Sequence, residues 1–224
     1  IINNVAKEPE IIDLQNFLNR LGADVKGAGT DMIKINGGRE LNAVEYEIIP
    51  DRIEAGTFLV AGAITGGEVT IKNVIPEHIE AVMVKLTEAG HKIEAKDKQV
   101  KIKAASCSQN INVKTLPYPG FPTDMQPQFM SLLSIAEGES IITETIFENR
   151  LNHASQLQKM GAEIEVNNNQ GLVKGVENLS GAVVKASNLR AGAALLLAGL
   201  ATEEKTIVEN IYHIERGYEC LEKK

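Results

Sequence analysis

The 224-residue chain has no tryptophan, two cysteines and 4% aromatic residues, and it never runs to 18 consecutive apolar residues. Each shortage excludes something. Cys107 and Cys220 are too few and too far apart for a disulfide framework or a zinc cluster, which fits a reducing compartment and makes the cytoplasm the expected location. Without a long apolar run there is no membrane-spanning helix to expect. Positive charge is also scarce, with 23 Lys and Arg against 30 Asp and Glu, a formal net charge of -7. An acidic chain with no basic stripe is poorly suited to nucleic acid, whose affinity depends on Lys and Arg displacing counterions. There is no Gly-rich phosphate loop, nucleophile elbow or metal-spaced His/Cys cluster, so neither metal nor cofactor is expected. The four histidines, His78, His91, His153 and His213, read as surface or capping residues, and both cysteines as unreactive thiols.

What is present is an ordinary globular composition, 43% hydrophobic and 24% charged, organised as a repeat. Asp51 to Val74, Asp124 to Arg150 and Arg190 to Ile211 share one plan: a helix of small and aliphatic residues, a Gly- or Glu-rich turn, then an alternating strand ending near an Asn. After Asn73 and Asn149 comes a second helix, a Gly turn and another strand, in EHIEAVMVKLTEAGHKIE and HASQLQKMGAEIEV. The same half-unit stands at the start, where Asn4-Val5 leads to EIIDLQNFLNRLGADVKG. On this pattern the first unit lacks its opening helix and strand and the last stops at CLEKK, so the chain reads as a fragment cut within units at both ends.

The first helix of each unit, such as 57–65 or 191–201, is apolar all round and should be enclosed on every side. The second is amphipathic, with Ile79, Val82, Met83 and Leu86 opposed by Glu80, Lys85 and Glu88. Strands at 68–72 and 99–103 alternate, which leaves one face in water, and Lys96-Asp97-Lys98 reads as a hairpin turn. Helices inside half-exposed sheets invert the usual α/β layering.

Arginine is concentrated at landmarks of the repeat. Of six Arg against 17 Lys, Arg52 and Arg190 open buried helices, while Arg150 and Arg216 come after the recurrent Asn. Arg offers a planar fork suited to carboxylate or phosphate. Asp51, Arg52, Asp124 and Arg190 should therefore gather at helix N-termini, where free N–H groups also favour anions. One reading is an anionic ligand held by Arg with a carboxylate as base. The other is that Asp51, Arg52 and Glu54 are only helix caps and salt bridges.

Four ordered stretches carry a resemblance: Phe121-Pro122-Thr123-Asp124-Met125-Gln126, Ile142 to Arg150, Leu189-Arg190-Ala191, and Ile211 to Glu219. Together with Glu8 to Ile11 and Pro50 to Glu54 they make the chain similar, over essentially its whole length, to the UDP-N-acetylglucosamine enolpyruvyltransferase family (the 1-carboxyvinyltransferases). The resemblance implies an α/β fold of the inside-out barrel or prism kind, built from repeated helix-strand units (the EPT/RTPC-like fold) and truncated here. It implies transfer of the enolpyruvyl group of phosphoenolpyruvate to the sugar 3-hydroxyl of UDP-N-acetylglucosamine, the committed step of peptidoglycan synthesis. By the same resemblance Asp124 contacts that hydroxyl as base or proton relay, and Ile146 lies against the sugar nucleotide. Arg190 and Arg216 hold the phosphate and carboxylate of phosphoenolpyruvate, with Arg150 and Asp51 in support.

The family's other half supplies a Lys-Asn pair and a general-acid loop that this chain lacks, and neither Cys107 nor Cys220 lies in a matching motif. Residues 1–47 correspond to the tail of that first domain and 48–224 to most of the second. The missing N-terminal half of the same polypeptide is therefore an expected partner, and the fragment alone should be inactive. Two alternatives differ in kind: a 5-enolpyruvylshikimate-3-phosphate synthase-like enzyme, whose Lys- and Arg-rich acceptor motifs are not recognisable here, and a non-catalytic repeat module that binds through its sheets.

Overall fold

The computed structural model describes residues 1–223 and divides into two compact units, residues 1–50 with 117–120, and residues 51–116 with those from 121 onward. In the smaller unit, strand β1 (Ile2–Asn3) leads to helix α1 (Pro9–Arg20), then β2 (Val25–Lys26) and β3 (Met32–Ile35), which form an antiparallel sheet in the order β1-β3-β2. Pro9 opens α1 at a position whose N–H would have no helical partner in any case. The Asn19 side chain receives a hydrogen bond from the Val25 N–H and donates one to the Val25 carbonyl, both at 2.8 Å, tying the end of α1 to β2. The Tyr46 hydroxyl donates to Asp13 at 2.7 Å and its ring leans on Phe17, which brings the segment around Tyr46 back across α1.

The larger unit holds the three repeats. The first comprises α2 (Arg52–Ile64), β4 (Glu68–Lys72), α3 (Glu80–Glu88, entered through a 3-10 turn at Pro76–Ile79), β5 (Lys92–Lys96) and β6 (Gln99–Lys103). The second adds a leading strand: β7 (Val113–Lys114), α4 (Gln126–Leu133), β8 (Glu139–Thr143), α5 (Ala154–Lys159), β9 (Glu163–Asn167) and β10 (Gln170–Lys174). The third has β11 (Val183–Lys185), α6 (Leu189–Leu200), β12 (Ile207–Glu209) and α7 (Tyr212–Glu215). Sheet orders β4-β6-β5 and β7-β8-β10-β9 repeat the β1-β3-β2 plan of the smaller unit, and β7-β8 and β11-β12 are parallel pairs bridged by α4 and α6.

Why the Asn recurs is visible in the backbone. Asn4, Asn73, Asn149 and Asn210 all have positive φ, between 53° and 63°. The left-handed region is costly for most side chains but open to Asn, whose short polar side chain tolerates it. Asn4, Asn73 and Asn210 thereby turn the chain directly as it leaves β1, β4 and β12, and Asn149 turns it later, in the loop that follows β8. The hairpin at Asp97-Lys98 uses the same device, with Asp97 at φ 52°.

Burial agrees with the expectation of enclosed helices. All eight residues of α4 are buried, as are ten of thirteen in α2, and α2, α4 and α6 pack against one another. Each leans on its own sheet, whose strands alternate between buried and exposed, as in β10 and β6. Phe129, Leu59, Leu195, Met125 and Met130 fill the space between the helices without measurable exposure. Ile79 at the end of the 3-10 turn and Val82 and Leu86 in α3 are buried as the stripe requires, while Met83 is only partly buried.

The α2 helix opens at Arg52, as expected of that arginine, because the Asp51 carboxylate caps it by accepting from the N–H groups of Ile53 and Glu54. Among the described residues no ladder joins one sheet to another, and the three backed helices form the open, truncated prism that the resemblance implied. One expectation needs correction. His91 and His153 are interior residues with 2% and 3% exposure, not surface or capping groups. His91 is accommodated by the Ala105 N–H donating to Nδ1 and by Ser108 Oγ at Nε2. Helical and strand periodicity cannot report this, since a histidine satisfied by local partners can occupy either face.

Candidate anion-binding site

The entrances to the three central helices carry Asp51, Asp124 and Asn188. Asp51 and Asn188 serve their own helices: Asn188 Oδ1 accepts from the N–H of Arg190 at 3.0 Å and of Ala191 at 2.9 Å. Asp124 does not. It lies in a 3-10 turn, Thr123–Met125, and α4 begins beyond it with no side-chain cap. Its carboxylate is instead shared by two arginines from separate repeats, Oδ1 accepting from Arg150 and Oδ2 accepting from Arg190 at 2.9 Å. Both guanidinium groups are largely shielded, with side-chain exposures of 19% and 17%, while the carboxylate keeps 36%. Partial burial pushes the Asp124 carboxyl upward, but the charges of Arg190 and Arg150 and their hydrogen bonds outweigh it and hold the group below the usual carboxylate range. It is an ionised acceptor between two cations.

The Arg150 side is built by the segment after β8. Glu144 is almost fully buried and accepts four hydrogen bonds: from Thr115 Oγ1 at 2.9 Å, Thr123 Oγ1 at 2.8 Å, and the N–H groups of Ile146 at 2.8 Å and Phe147 at 3.2 Å. One carboxylate therefore fixes both the residue before Asp124 and the loop carrying Arg150. Phe147 then lies under the Arg150 guanidinium, 4.7 Å from ring centroid to charge. Ile146 stands partly exposed on the same loop. His153 reinforces the base of the loop, bonding to the Arg150 backbone; burial foremost lowers its pKa to about 4, so it is neutral there.

The Arg190 side is built by close approach of the third repeat to itself. A Cβ on Gly192 would stand 2.5 Å from Ile214, and one on Gly217 would stand 2.7 Å from Leu189, so both glycines are needed for residues 212–218 to lie against the start of α6. This buries Tyr218, whose hydroxyl lies 2.9 Å from the Thr57 hydroxyl and whose pKa is raised, foremost by burial. Arg216 is exposed at the end of α7 and takes no part in the Asp124 pair.

Of the residues singled out from the sequence, Asp124, Arg150 and Arg190 are brought together, Ile146 lies on the Arg150 loop, Asp51 is a helix cap, and Arg216 stands apart from the cluster. Glu144 was missed. Its signal was an acidic residue inside the otherwise apolar and threonine-rich run Ile141 to Phe147, a place where a carboxylate must find several donors. Cys107 and Cys220 are both free thiols. No group of His, Cys, Asp and Glu that could hold a metal occurs among the described residues, and no helix there is long and apolar enough to cross a membrane.

Enclosed helices behind half-exposed sheets, with one carboxylate clasped by two arginines from different repeats, define a repeat-built α/β protein. The chain belongs to the EPSP synthase (3-phosphoshikimate 1-carboxyvinyltransferase) family, whose model matches residues 1–224. It is 53% identical over all 224 residues to UDP-N-acetylglucosamine 1-carboxyvinyltransferase 1 of Caldanaerobacter subterraneus subsp. tengcongensis, and 56% identical to the protein of the same name from Symbiobacterium thermophilum. It spans about half the length of these relatives, 54% and 51% respectively. The enolpyruvyl transferase NikO from Streptomyces tendae has a similar structure, with a TM-score of 0.87 at 26% identity over 99% of this chain and 53% of that one. EPSP synthase from Acinetobacter baumannii, at 20% identity and TM-score 0.71 over 90% of this chain and 50% of that one, shares the fold.

Proposed function

We propose that the chain supplies one wall of the active site of an enolpyruvyltransferase that joins phosphoenolpyruvate to the 3-hydroxyl of UDP-N-acetylglucosamine in the cytoplasm, for peptidoglycan synthesis. The observation that carries this reading is the Asp124 carboxylate held between Arg150 and Arg190. The high identity to carboxyvinyltransferases named for UDP-N-acetylglucosamine supports the sugar nucleotide as acceptor over shikimate phosphate.

In this reading the acceptor hydroxyl gives its proton to Asp124 as its oxygen bonds to C2 of phosphoenolpyruvate, while the methylene carbon gains a proton from a general acid in the other half of the polypeptide. The tetrahedral adduct then loses phosphate and a proton from the former methylene carbon, leaving the enolpyruvyl ether. Arg190 and Arg150, desolvated and already oriented, stabilise the phosphate and carboxylate charge as it redistributes. Arg216, exposed and uncommitted to Asp124, reaches the same donor from the end of α7. Residues 1–47 are the tail of the domain that holds the acid, and the 224-residue chain alone is inactive because the acid is missing. A metal-free mechanism by positioning and charge needs no cofactor.

Phosphate release from phosphoenolpyruvate and UDP-N-acetylglucosamine tests the reading. The full-length polypeptide should turn over, the 224-residue chain should not, and Asp124→Asn in the full-length protein should lose about 10²-fold to 10⁴-fold. Unimpaired Asp124→Asn would leave the non-catalytic repeat module as the better account.

A further inference from the structure

In the smaller unit and in the first and third repeats the left-handed Asn follows its strand directly: Asn4 after β1, Asn73 after β4 and Asn210 after β12. The second repeat departs from this. Between the end of β8 at Thr143 and Asn149 the residues 144–148 intervene, and they include Ile146 and the Phe147 that lies under Arg150. Extra chain between a strand and its turn has no ladder partners, so its backbone groups must be held in some other way.

Glu144 stands where the other copies place their Asn, directly after the strand, and it is 2% exposed. A carboxylate so buried is costly unless its lone pairs are taken, and here both oxygens are used. Oε1 accepts from the N–H groups of Ile146 and Phe147 and from Thr115 Oγ1, while Oε2 accepts from Thr123 Oγ1. A hydroxyl or amide side chain has one acceptor oxygen; a carboxylate has two, which can serve two segments at once. Glu144 is itself fixed from behind. Its N–H donates to the Asn169 carbonyl at 2.8 Å and its carbonyl accepts from Asn169 Nδ2 at 2.9 Å, at the hairpin between β9 and β10. Thr115, directly after β7, is a further anchor, since its hydroxyl also accepts from the Thr145 N–H at 2.8 Å. The sheet therefore holds the carboxylate, and the carboxylate reaches the two segments that carry Asp124 and Arg150.

We infer that Glu144 is a positioning residue for both members of the Asp124–Arg150 pair, with Oε2 acting on Asp124 through Thr123 and Oε1 acting on the Arg150 loop. The 3-10 turn Thr123–Met125 has no side-chain cap, and the bond from Thr123 to Glu144 ties its first residue to the sheet. Referring Asp124 and Arg150 to one buried carboxylate preserves their spacing when substrate charge enters beside them, which is the preorganisation that electrostatic catalysis requires. The inference rests on the reading of Asp124 as the base of the proposed reaction.

The test begins with Thr123→Val in the full-length polypeptide, which keeps the shape of the side chain and removes the donor to Oε2. Its kcat should fall about tenfold, and Thr123→Ser, which keeps the hydroxyl, should restore the wild-type value. A double-mutant cycle separates positioning from packing: in an Asp124→Asn background, Thr123→Val should cost less than about twofold, because the group it positions is already disabled. Unchanged kcat in Thr123→Val, or the same tenfold loss in both backgrounds, would overturn the inference. The other arm is read without turnover, by amide hydrogen exchange. The Ile146 and Phe147 amides should exchange at least about tenfold faster in Glu144→Ala than in the wild type, while the amides of β8 and β10 keep their rates. Unaltered exchange at Ile146 and Phe147, or acceleration spread through the whole second repeat, overturns it as well. Where Glu144→Ala fails to fold, the Thr123 series still decides. If the wild-type protein does not consume phosphoenolpyruvate, the proposed reaction fails, while the exchange comparison still decides whether Glu144 holds the loop.

Discussion

Asp51 and Asp124 occupy matching places at the entrances of α2 and α4, yet they do different work. Asp51 accepts hydrogen bonds from two N–H groups of its own helix and is satisfied locally. Asp124 leaves its helix uncapped and accepts from arginines 26 and 66 residues away. At the third entrance, Asn188 caps as Asp51 does. The difference teaches how a repeat acquires a site. A position whose side chain is normally consumed by the backbone becomes available for chemistry when a short 3-10 turn moves it out of register with the helix start, as the Thr123–Met125 turn does.

The sharpest way to break this comparison is to neutralise each aspartate without changing its shape. Asp124→Asn should cost the full-length protein at least about 10²-fold in phosphate release. Asp51→Asn preserves a good cap and should leave the unfolding free energy within a few tenths of a kcal/mol. An equally large loss of stability from both would show that the two positions are still doing the same job.

The next effect is one of pH and is largest at His153 in the second repeat, with buried His91 of the first acting in the same direction. His153 titrates at about 4 when folded and near 6.5 when unfolded, so between those values the unfolded chain binds more protons. Stability should be level above pH 6.5 and fall by up to about 3 kcal/mol as the pH drops to 4, read by urea unfolding at each pH. In His153→Gln that fall should flatten, and an unaltered slope would mean that other groups carry the acid sensitivity.

Removing the caps gives a smaller effect. Asp51→Ala and Asn188→Ala should each destabilise by about 1 kcal/mol in thermal or urea unfolding. Asp51→Ser, which can still accept from the helix N–H groups, should cost only a few tenths of a kcal/mol. If Asp51→Ala were as stable as the wild type, the carboxylate would not be acting as a cap and its likeness to Asn188 would fail.

Much of the repeat was legible because its signals are local. A helix that is small and apolar on all sides, such as 191–201, has nowhere to go but inside. Strands such as β6 declare one wet face by alternation, and Asp97 marks a hairpin by its turn chemistry. The recurrent Asn was visible as a mark, but its left-handed backbone was not, since residue type permits that conformation without requiring it. Within the site, Asp124, Arg150 and Arg190 stood out by type and position. Glu144 and Tyr218 did not, because a buried carboxylate or phenol is recognisable only through the donors and acceptors that other segments bring to it.

By itself the sequence determined the periodicity, the enclosed helices, the half-exposed strands and the scarcity of arginine that made a few positions informative. These depend on the residue and its near neighbours, and propensity and hydrophobic pattern act at that range. Only the tertiary structure decided that Asp124 meets Arg150 and Arg190 while Asp51 meets its own helix, and that Tyr218 reaches Thr57 across 161 residues. The physical reason is that an unpaired buried charge or hydroxyl costs more than local preference can supply. Its partner is therefore chosen by how the three helices pack, and packing is a property of the whole unit.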